Sequence, residues 1–324
     1  MFSKIKYIKH LFVALALILV ACDDESALEK EIEKIEIDIN IERFDRIFAN
    51  SNFDDLPKLK ADYPFLFSKR IPDSIWTAKI QDSLQIELLN EVDKTFGNFE
   101  KQKAELKKFF QHLKFYNPDT EIPRIITLTN DVDYRNKTYL ADSIALIALD
   151  NYLGSQHPFY VNFQRYITKG MTPEQITVDL ATDYAEKAIY QPNRKTFLDE
   201  MIYFGKQLYY KDVMIPFKTD AEKINYSENN MEWAKVNESM IWTYFVENEV
   251  FYKNDNKLVS RFLADAPYSK FNLQLDNESP PRLGQYIGWQ IVRAYADKTD
   301  ADLQTLMQTD AEEIFNKSKY KPKK

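Results

Sequence analysis

Three residue types that often carry chemistry are scarce in this sequence of 324 residues, which has one cysteine, six glycines and three histidines. Because Cys22 stands alone, the chain can form no intramolecular disulfide and no site of several cysteine ligands. Six scattered glycines leave no glycine-rich loop to cradle a phosphate, and no G-x-S-x-G motif is present. P-loop, dinucleotide-binding and serine-elbow enzymes are therefore excluded.

The charge balance also narrows the possible partners. Lysine and arginine total 43 and aspartate and glutamate total 50, for a net charge of −7. No basic stripe interleaves with aromatic residues, so no nucleic-acid partner is expected. With 44% apolar residues, the chain has ample material for a full core.

The first 21 residues have the pattern of an export signal peptide. Lysines at Lys4, Lys6 and Lys9 precede an unbroken apolar run over 11–20. As a helix, ten residues rise only about 15 Å, roughly half of a bilayer core, so this run is too short to span a membrane. No later segment is long and apolar enough to do so.

The signal peptide ends in Leu19-Val20-Ala21-Cys22, which resembles the lipobox of bacterial lipoproteins. Small Ala21 precedes the expected cleavage, and the Cys22 thiol would receive the diacylglyceryl group. The alternative, a chance cysteine after an ordinary signal peptide, is disfavoured because no other cysteine occurs. We therefore expect a membrane-anchored lipoprotein of the cell envelope, facing the periplasm, although Asp23-Asp24 leaves the leaflet open.

The mature chain is expected to have three parts. Residues 22–33 form an acidic tether, 34–317 a single domain, and 318–324 a basic tail. The tail could touch anionic headgroups, but a solvated terminus is the simpler interpretation.

Three segments are predicted as strands. Ile35, Ile37, Ile39 and Ile41 alternate with polar residues, which is the period of a half-buried strand. The other two strands are predicted over 124–129 and 143–149.

Most of the remaining chain is predicted to be helical. The predicted helices cover 82–96, 100–116, 172–188, 196–212, 230–247, 282–298 and short pieces near 301–317. Two of them begin with capping-box chemistry, Thr172 with Gln175 and Thr196 with Asp199. The combination predicts an α+β fold that is predominantly helical, with a small sheet.

Several segments together resemble the gliding-motility lipoprotein family called GldB, from gliding bacteria of the Bacteroidetes type. They are KIEIDINIERFD (34–45), IALDNYLG (147–154), RKTFLDEMIYFGKQLYY (194–210) and PRLGQYIGWQIVRAY (281–295). The resemblance implies an envelope lipoprotein required for gliding, associated with type IX secretion and with other envelope proteins of that machinery. It implies no cofactor.

A more distant likeness is to predicted zinc peptidases with a zincin-like fold, which carry H-E-x-x-H on one helix and a third ligand on the next. In the alignment with that family, Thr182 and Glu186 take the positions of the two histidines and Asp183 that of the catalytic glutamate. Phe204 takes the position of the third ligand. The resemblance therefore implies a degenerate site without catalytic zinc, in which Phe204 fills the vacated space.

Other candidate residues have plainer interpretations. His112 is expected to be a half-exposed helix residue, and His157 a turn residue at a helix start. Asp179, Asp183 and Glu186 share a helix face, which is expected to be solvated, with Lys187 pairing Asp183.

Three glycines fall inside predicted helices or beside the aligned site. Gly284 and Gly288 lie one turn apart, and Gly205 follows Phe204. Glycine costs about 1 kcal/mol in a helix interior, so close backbone packing is the expected compensation.

Three functions from different classes remain. The first is a non-catalytic interaction component of the gliding apparatus, which we favour. The second is a carboxylate-dependent hydrolase that uses Asp179, Asp183 and Glu186. The third is a small-molecule or glycan-binding lipoprotein, whose cleft would be lined by aromatics from Tyr203, Phe204, Tyr209, Tyr210 and Trp289.

Overall fold

The computed structural model describes residues 27–272 and 276–322. Over these residues the chain is about 58% helical with one small mixed sheet, which confirms the predominantly helical α+β class. The predicted signal peptide and Cys22 lie outside the described residues.

The sheet has four strands in the order β1-β2-β4-β3. They are β1 (Ile41–Arg43), β2 (Arg124–Leu128), β3 (Thr138–Leu140) and β4 (Ile144–Ala148). The pairs β1–β2 and β2–β4 are parallel, while β3 runs antiparallel along β4 at the edge. The strands predicted over 124–129 and 143–149 are confirmed.

Apolar residues of the central strands serve two cores because successive side chains point to opposite faces. Ile125 and Ile147 enter the main core with the long helices. Ile126 enters a smaller core with Phe44 and Tyr63 on the other face. The sheet is therefore covered on both sides, as expected for largely parallel strands.

The alternating segment that begins at Ile35 is not a strand before Ile41, so that prediction was wrong over 35–40. Its alternation of burial is real, with Ile39 at 3% exposure between exposed Asp38 and Asn40. What is missing is a pairing partner. The register joins Ile41 to Ile125, and Pro123, which has no N–H, lies just before β2.

Helices make up the rest of the fold. Those before β2 are α1 (27–32), α2 (Phe44–Ala49), α3 (Leu56–Asp62), α4 (Asp73–Gln81), α5 (Ser83–Phe96) and α6 (Glu100–Tyr116). Those from β4 to the long central helix are α7 (Arg165–Thr168), α8 (Ile176–Ala188) and α9 (Phe197–Met214). The later ones are α10 (Asp220–Lys223), α11 (Glu228–Val236), α12 (Glu238–Glu247), α13 (Asn256–Phe262), α14 (Leu283–Thr299), α15 (Leu303–Gln308) and α16 (Ala311–Ser318).

Capping boxes were predicted at the starts of two of these helices, and one of the two is present. The capping box of Thr196 and Asp199 is present and starts α9. The one predicted for Thr172 and Gln175 is wrong, because the Gln175 amide donates instead to the carbonyl of Glu222 at 3.2 Å. Residues Pro173–Gln175 form a 3-10 turn, and α8 starts at Ile176.

The helix predicted over 230–247 is two helices, α11 and α12. They meet at Asn237, whose side-chain amide donates to the carbonyl of Trp233 at 2.8 Å. Such a bond from an asparagine competes with the regular helix ladder, which explains the break.

The folded body begins earlier than the predicted tether allows. Residues 27–32 are helical and Ile32 is 1% exposed, so the tether predicted over 22–33 is too long by about two helical turns. His112 is buried at 3% exposure, not half-exposed as predicted, because its Nε2 meets a Glu29 carboxylate oxygen at 3.1 Å. Gln111 beside it donates to two carbonyls of the following segment.

At the other end, the predicted basic tail is partly packed. Ser318 is fully buried, and the Tyr320 hydroxyl donates to Glu238 at 2.7 Å. The Tyr320 ring lies edge-on to Trp242. The solvated terminus predicted to start at 318 therefore starts no earlier than 321.

The closest helix packing is between α9 and α14. A Cβ atom added at Gly205 would meet the carbonyl group of Gly288, and one added at Gly288 would meet the carbonyl group of Met201, both inside 3.0 Å. At Gly284 the obstacles are a Leu263 methyl and the Phe262 carbonyl. The two helix backbones touch, so only glycine fits at these crossings.

We predict that Gly288→Leu lowers the free energy of unfolding by several kcal/mol, because the new side chain meets backbone that cannot yield locally. Urea unfolding followed by circular dichroism measures this. Lys317→Ala, on the exposed face of α16, is the control and should leave the urea midpoint nearly unchanged. A neutral or stabilising Gly288→Leu would mean that this helix face is open.

Candidate functional site

An open cleft of about 570 Å³ lies between α8, α9, the start of α14 and the segment before α8. It is deep enough for a small organic molecule, since ligand sites commonly measure about 300–1,000 Å³. Its wall combines carboxylates, cations, amides and two tyrosines.

Three of the four degenerate metal-site positions meet in this cleft. Thr182 and Glu186 lie one turn apart on α8, and Phe204 faces them from α9. The spacing i, i+4 puts the first two on one helix face. The alignment with the peptidase family therefore selected residues that the fold brings together.

Each of these side chains has its own local contact. The Thr182 hydroxyl donates to the carbonyl of Val178 at 2.9 Å, one turn back. Glu186 accepts a hydrogen bond from the Gln207 amide at 3.2 Å. Phe204 forms part of the wall and leaves the cleft open, so the expectation that it fills the space was wrong.

Asp183 does not line the cleft. It faces the edge strand, where Thr138 hydrogen-bonds to it, and its second oxygen is buried without a hydrogen-bond partner. Burial raises the pKa of Asp183 to about 6, and the charges of Asp179 and Glu186 add to this. One of the three carboxylates therefore holds its proton unusually strongly.

Asp179 is in the opposite situation. It accepts a hydrogen bond from the Tyr152 hydroxyl at 2.8 Å and pairs with Lys137 at 2.5 Å. Burial raises the pKa of Tyr152 well above its ordinary value, so this hydroxyl remains a donor. Asp179 therefore has two partners, Tyr152 and Lys137, in the wall of the cleft.

The prediction of a solvated carboxylate face was therefore wrong for two of its three members. Only Glu186 is exposed. Lys187 pairs with Asp142 at 3.4 Å across to the loop before β4, and not with Asp183 as predicted. Asp179 and Glu186 line the cleft, whereas Asp183 does not.

The cleft also holds cations that the sequence reasoning missed. Lys211 on α9 is 7% exposed, and Arg282 precedes the first turn of α14. Lysines at buried positions of an amphipathic helix are the signal that could have found Lys211, since an uncompensated buried charge is costly. Arg282 carried no such signal.

The aromatic residues that line the cleft differ from the predicted set. Of the five aromatics named for a binding cleft, Phe204 alone lines it. Trp289 is fully buried and donates its indole N–H to Asp212 at 2.7 Å. The cleft tyrosines are instead Tyr134 and Tyr166.

One known family matches most of this chain. The model of a family described as gliding motility protein GldB matches residues 25–322. The chain belongs to this family. No curated protein and no solved structure matches the chain.

Membership in the GldB family assigns no role to the cleft by itself. The matched range covers α8, α9 and α14, so the residues of the cleft lie within it. Within the residues that the structure describes, no helix has the length and apolar character needed to cross a membrane.

His157 is a turn residue at a helix start, as predicted. Its ring nitrogen accepts a hydrogen bond from the N–H of Phe159 at 3.3 Å, ahead of a 3-10 turn. Its Nε2 lies 3.2 Å from a Glu91 carboxylate oxygen. Neither His157 nor His112 lines the cleft.

The raised pKa of Asp183 makes a prediction about stability and pH. Between about pH 4 and pH 6 the folded chain keeps a proton that the unfolded chain has lost, so stability falls as pH rises through this window. Asp183→Asn should therefore stabilise the protein at pH 7.5 by about 1–3 kcal/mol and by little near pH 4. Urea unfolding at the two pH values tests this.

The matched control is Asp179→Asn, one turn earlier on α8. Because Asp179 is paired with Lys137, its removal should destabilise the protein at pH 7.5. A loss of stability with Asp183→Asn that is the same at both pH values would show that the carboxylate is not strained by burial.

Proposed function

We propose that this chain is a lipid-anchored envelope component of the gliding machinery, associated with type IX secretion, that acts without catalysis. Family membership supports the role in gliding motility. The lipobox-like Leu19-Val20-Ala21-Cys22 supports attachment through Cys22. The partners would be the membrane and other envelope proteins of the same machinery.

The observation that carries the non-catalytic role is the chemistry of the cleft residues in the aligned metal-site positions. Threonine is a poor Zn²⁺ ligand at neutral pH, and a phenyl ring cannot ligate. Thr182 and Phe204 therefore leave Glu186 as the single usable donor of the three. Over 27–272 and 276–322, no three His, Cys, Asp or Glu side chains are grouped to hold a metal ion.

The fold supports a zincin-like ancestry for this body. The antiparallel edge strand β3 lies against α8, and α8 in turn packs on α9. The two helices that would carry the ligands in a zinc peptidase therefore lie together beside the sheet.

The carboxylate hydrolase is less well supported. Its best acid is Asp183, whose pKa of about 6 would suit proton transfer. However, Asp183 does not line the cleft, and Asp179 is engaged by Lys137 and Tyr152. The other carboxylates that line the cleft, Glu186 and Asp265, contact Gln207 and Arg282.

The early start of the folded body places it close to the membrane in this proposal. Helix α1 begins at residue 27, and an extended chain spans at most about 3.6 Å per residue, so the link from Cys22 is at most about 18 Å long. The surface near α1 would then face the lipid.

We predict that Cys22→Ala abolishes lipid attachment and releases the folded protein from the membrane, since Cys22 is the one thiol that could carry the lipid. Metabolic labelling with a fatty-acid analogue, followed by membrane fractionation, measures this. In a deletion strain, the wild-type chain should restore spreading on agar and Cys22→Ala should not. Ser26→Ala is the control. Continued labelling of Cys22→Ala would refute the anchor.

We also predict that the body over residues 23–324, purified without a histidine tag, holds no stoichiometric zinc. The triple variant Thr182→His/Glu186→His/Phe204→Glu should gain one zinc per chain, because it restores three ligands to facing positions. Elemental analysis measures both.

The control places the two histidines on the neighbouring face of α8, as Asp183→His/Lys187→His with Phe204→Glu, and should bind no zinc. Stoichiometric zinc in the wild-type body, or peptidase activity that a chelator abolishes, would refute the non-catalytic role. A folded triple variant without zinc would refute the aligned positions.

A further inference from the structure

Three of the four buried lysines in the described part of the chain have two polar partners each. Lys218 pairs with Glu105 at 2.9 Å, and Lys223 pairs with Asp212 at 3.0 Å. Lys206 is fully buried and donates to the carbonyls of Met307 and Thr309, at 3.3 and 2.7 Å.

Lys211 is the exception, and it lies in the wall of the cleft. Its ammonium makes one hydrogen bond, to the carbonyl of Lys223 at 3.1 Å, and no ion pair with a described carboxylate. An ammonium has three N–H donors, so two of them have no acceptor among the residues that the structure describes. Leaving them unsatisfied in a site that is 7% exposed costs free energy.

Two further cations lie close by without adequate partners. Lys169 makes no side-chain hydrogen bond or ion pair within the described chain, and it lines a smaller cavity that shares Arg282 with the cleft. Among the described residues, Arg282 pairs with Asp265 at 3.4 Å, and that side chain is 73% exposed. The other carboxylates of the cleft already have partners, Asp179 in Lys137 and Glu186 in Gln207.

The cations also act on one another. Burial lowers the pKa of Lys169, and the charge of Arg282 lowers it further. Burial lowers the pKa of Lys211 to about 8; Arg282 and Lys137 also lower it, while Asp179 and Asp183 raise it. The nearby carboxylates thus do not offset the burial of this charge.

Arg282 combines a strained backbone with a guanidinium that is fixed by hydrogen bonds. Arg282 (φ 57°) and Asn225 (φ 53°) are both left-handed, a conformation that costs a residue with a side chain free energy. The guanidinium donates to the carbonyls of Ile224 and Asn225 at 2.6 and 3.1 Å, which fixes it beside the cleft. Strained residues that hold a charged side chain beside a cleft are typical of binding sites.

We propose that the cleft binds a small anionic molecule whose phosphate or carboxylate group is held by Lys211 and Arg282, with Lys169 adding positive charge from the adjoining cavity. Such a group supplies the missing acceptors and cancels the repulsion among the cations. The cleft volume of about 570 Å³ leaves room for an organic part of the ligand, against which the rings of Tyr134 and Tyr166 can pack. This inference concerns the cleft alone and does not depend on lipid attachment.

The test is the binding of inorganic phosphate, sulfate and succinate to the full mature chain, with chloride at equal ionic strength as the reference. Calorimetric titration and thermal melting are the readouts. We expect at least one oxyanion to raise the melting temperature beyond chloride. Binding of phosphate and sulfate would identify a phosphate-bearing ligand, and binding of succinate alone a carboxylate-bearing one.

Lys211→Met should weaken that binding by about tenfold or more, the loss expected for one charge-assisted contact. Lys206→Met removes a buried charge from the same helix away from the cleft and should bind as the wild type does, as should surface Lys187→Met. Lys169→Met gives a second measurement at a less buried position, in case Lys211→Met does not fold.

The proposal fails if no oxyanion stabilises the wild type beyond chloride. It also fails if Lys169→Met, or a folded Lys211→Met, binds as tightly as Lys206→Met. Binding that all four variants lose equally would reflect general destabilisation and would likewise overturn the site.

Discussion

The backbone of α9 lies against the backbone of α14 where Gly205 meets Gly288. Side chains usually hold two helices 8–10 Å apart, so this contact requires glycine and fixes the rotation of both helices. With Gly205 turned toward α14, the stripe of Phe204, Gln207 and Lys211 is turned into the cleft. The same contact sets the first turn of α14, and with it Arg282, at the opposite wall. The shape of the cleft thus depends on a backbone contact that does not itself line the cleft.

A buried charge network supports the same helices below the cleft. Arg293 on α14 pairs with Asp212 on α9 and with Asp220 on α10, at 2.7 and 2.8 Å. Lys223 shares Asp212, so these charges are compensated by hydrogen bonds as well as by charge. Removing one member would leave the others without their charge partners, so the network resists rearrangement. Against this background, the uncompensated ammonium of Lys211 is a local departure from how this protein treats buried charge.

The degenerate site and the proposed anion site occupy one cleft but use different walls. Thr182 and Glu186 belong to α8, whereas Lys211, Lys169 and Arg282 come from α9, the segment before α8 and the start of α14. The walls of the cleft are set by helix packing, so its openness does not depend on a metal ion. The space is available for the oxyanion proposed above. This view accounts for an open cleft in which Phe204 lines the wall and does not fill it.

The sequence by itself determined the features that depend on neighbours along the chain. The strands at 124–128 and 144–148, the Thr196 capping box and the i, i+4 placement of Thr182 and Glu186 could be predicted because periodicity and capping act over a few residues. Tertiary structure alone decided what depends on distant partners. Alternation at Ile35, Ile37 and Ile39 records which side is buried, but a strand also needs a neighbour to pair with, and β2 is too short to supply one. His112 is buried with its Nε2 against Glu29, and Lys211 has no described ion pair because nearby Asp179 and Glu186 contact Lys137 and Gln207 instead. A sequence pattern specifies how polar a position is, whereas the partner of a buried charge comes from elements far away in the chain.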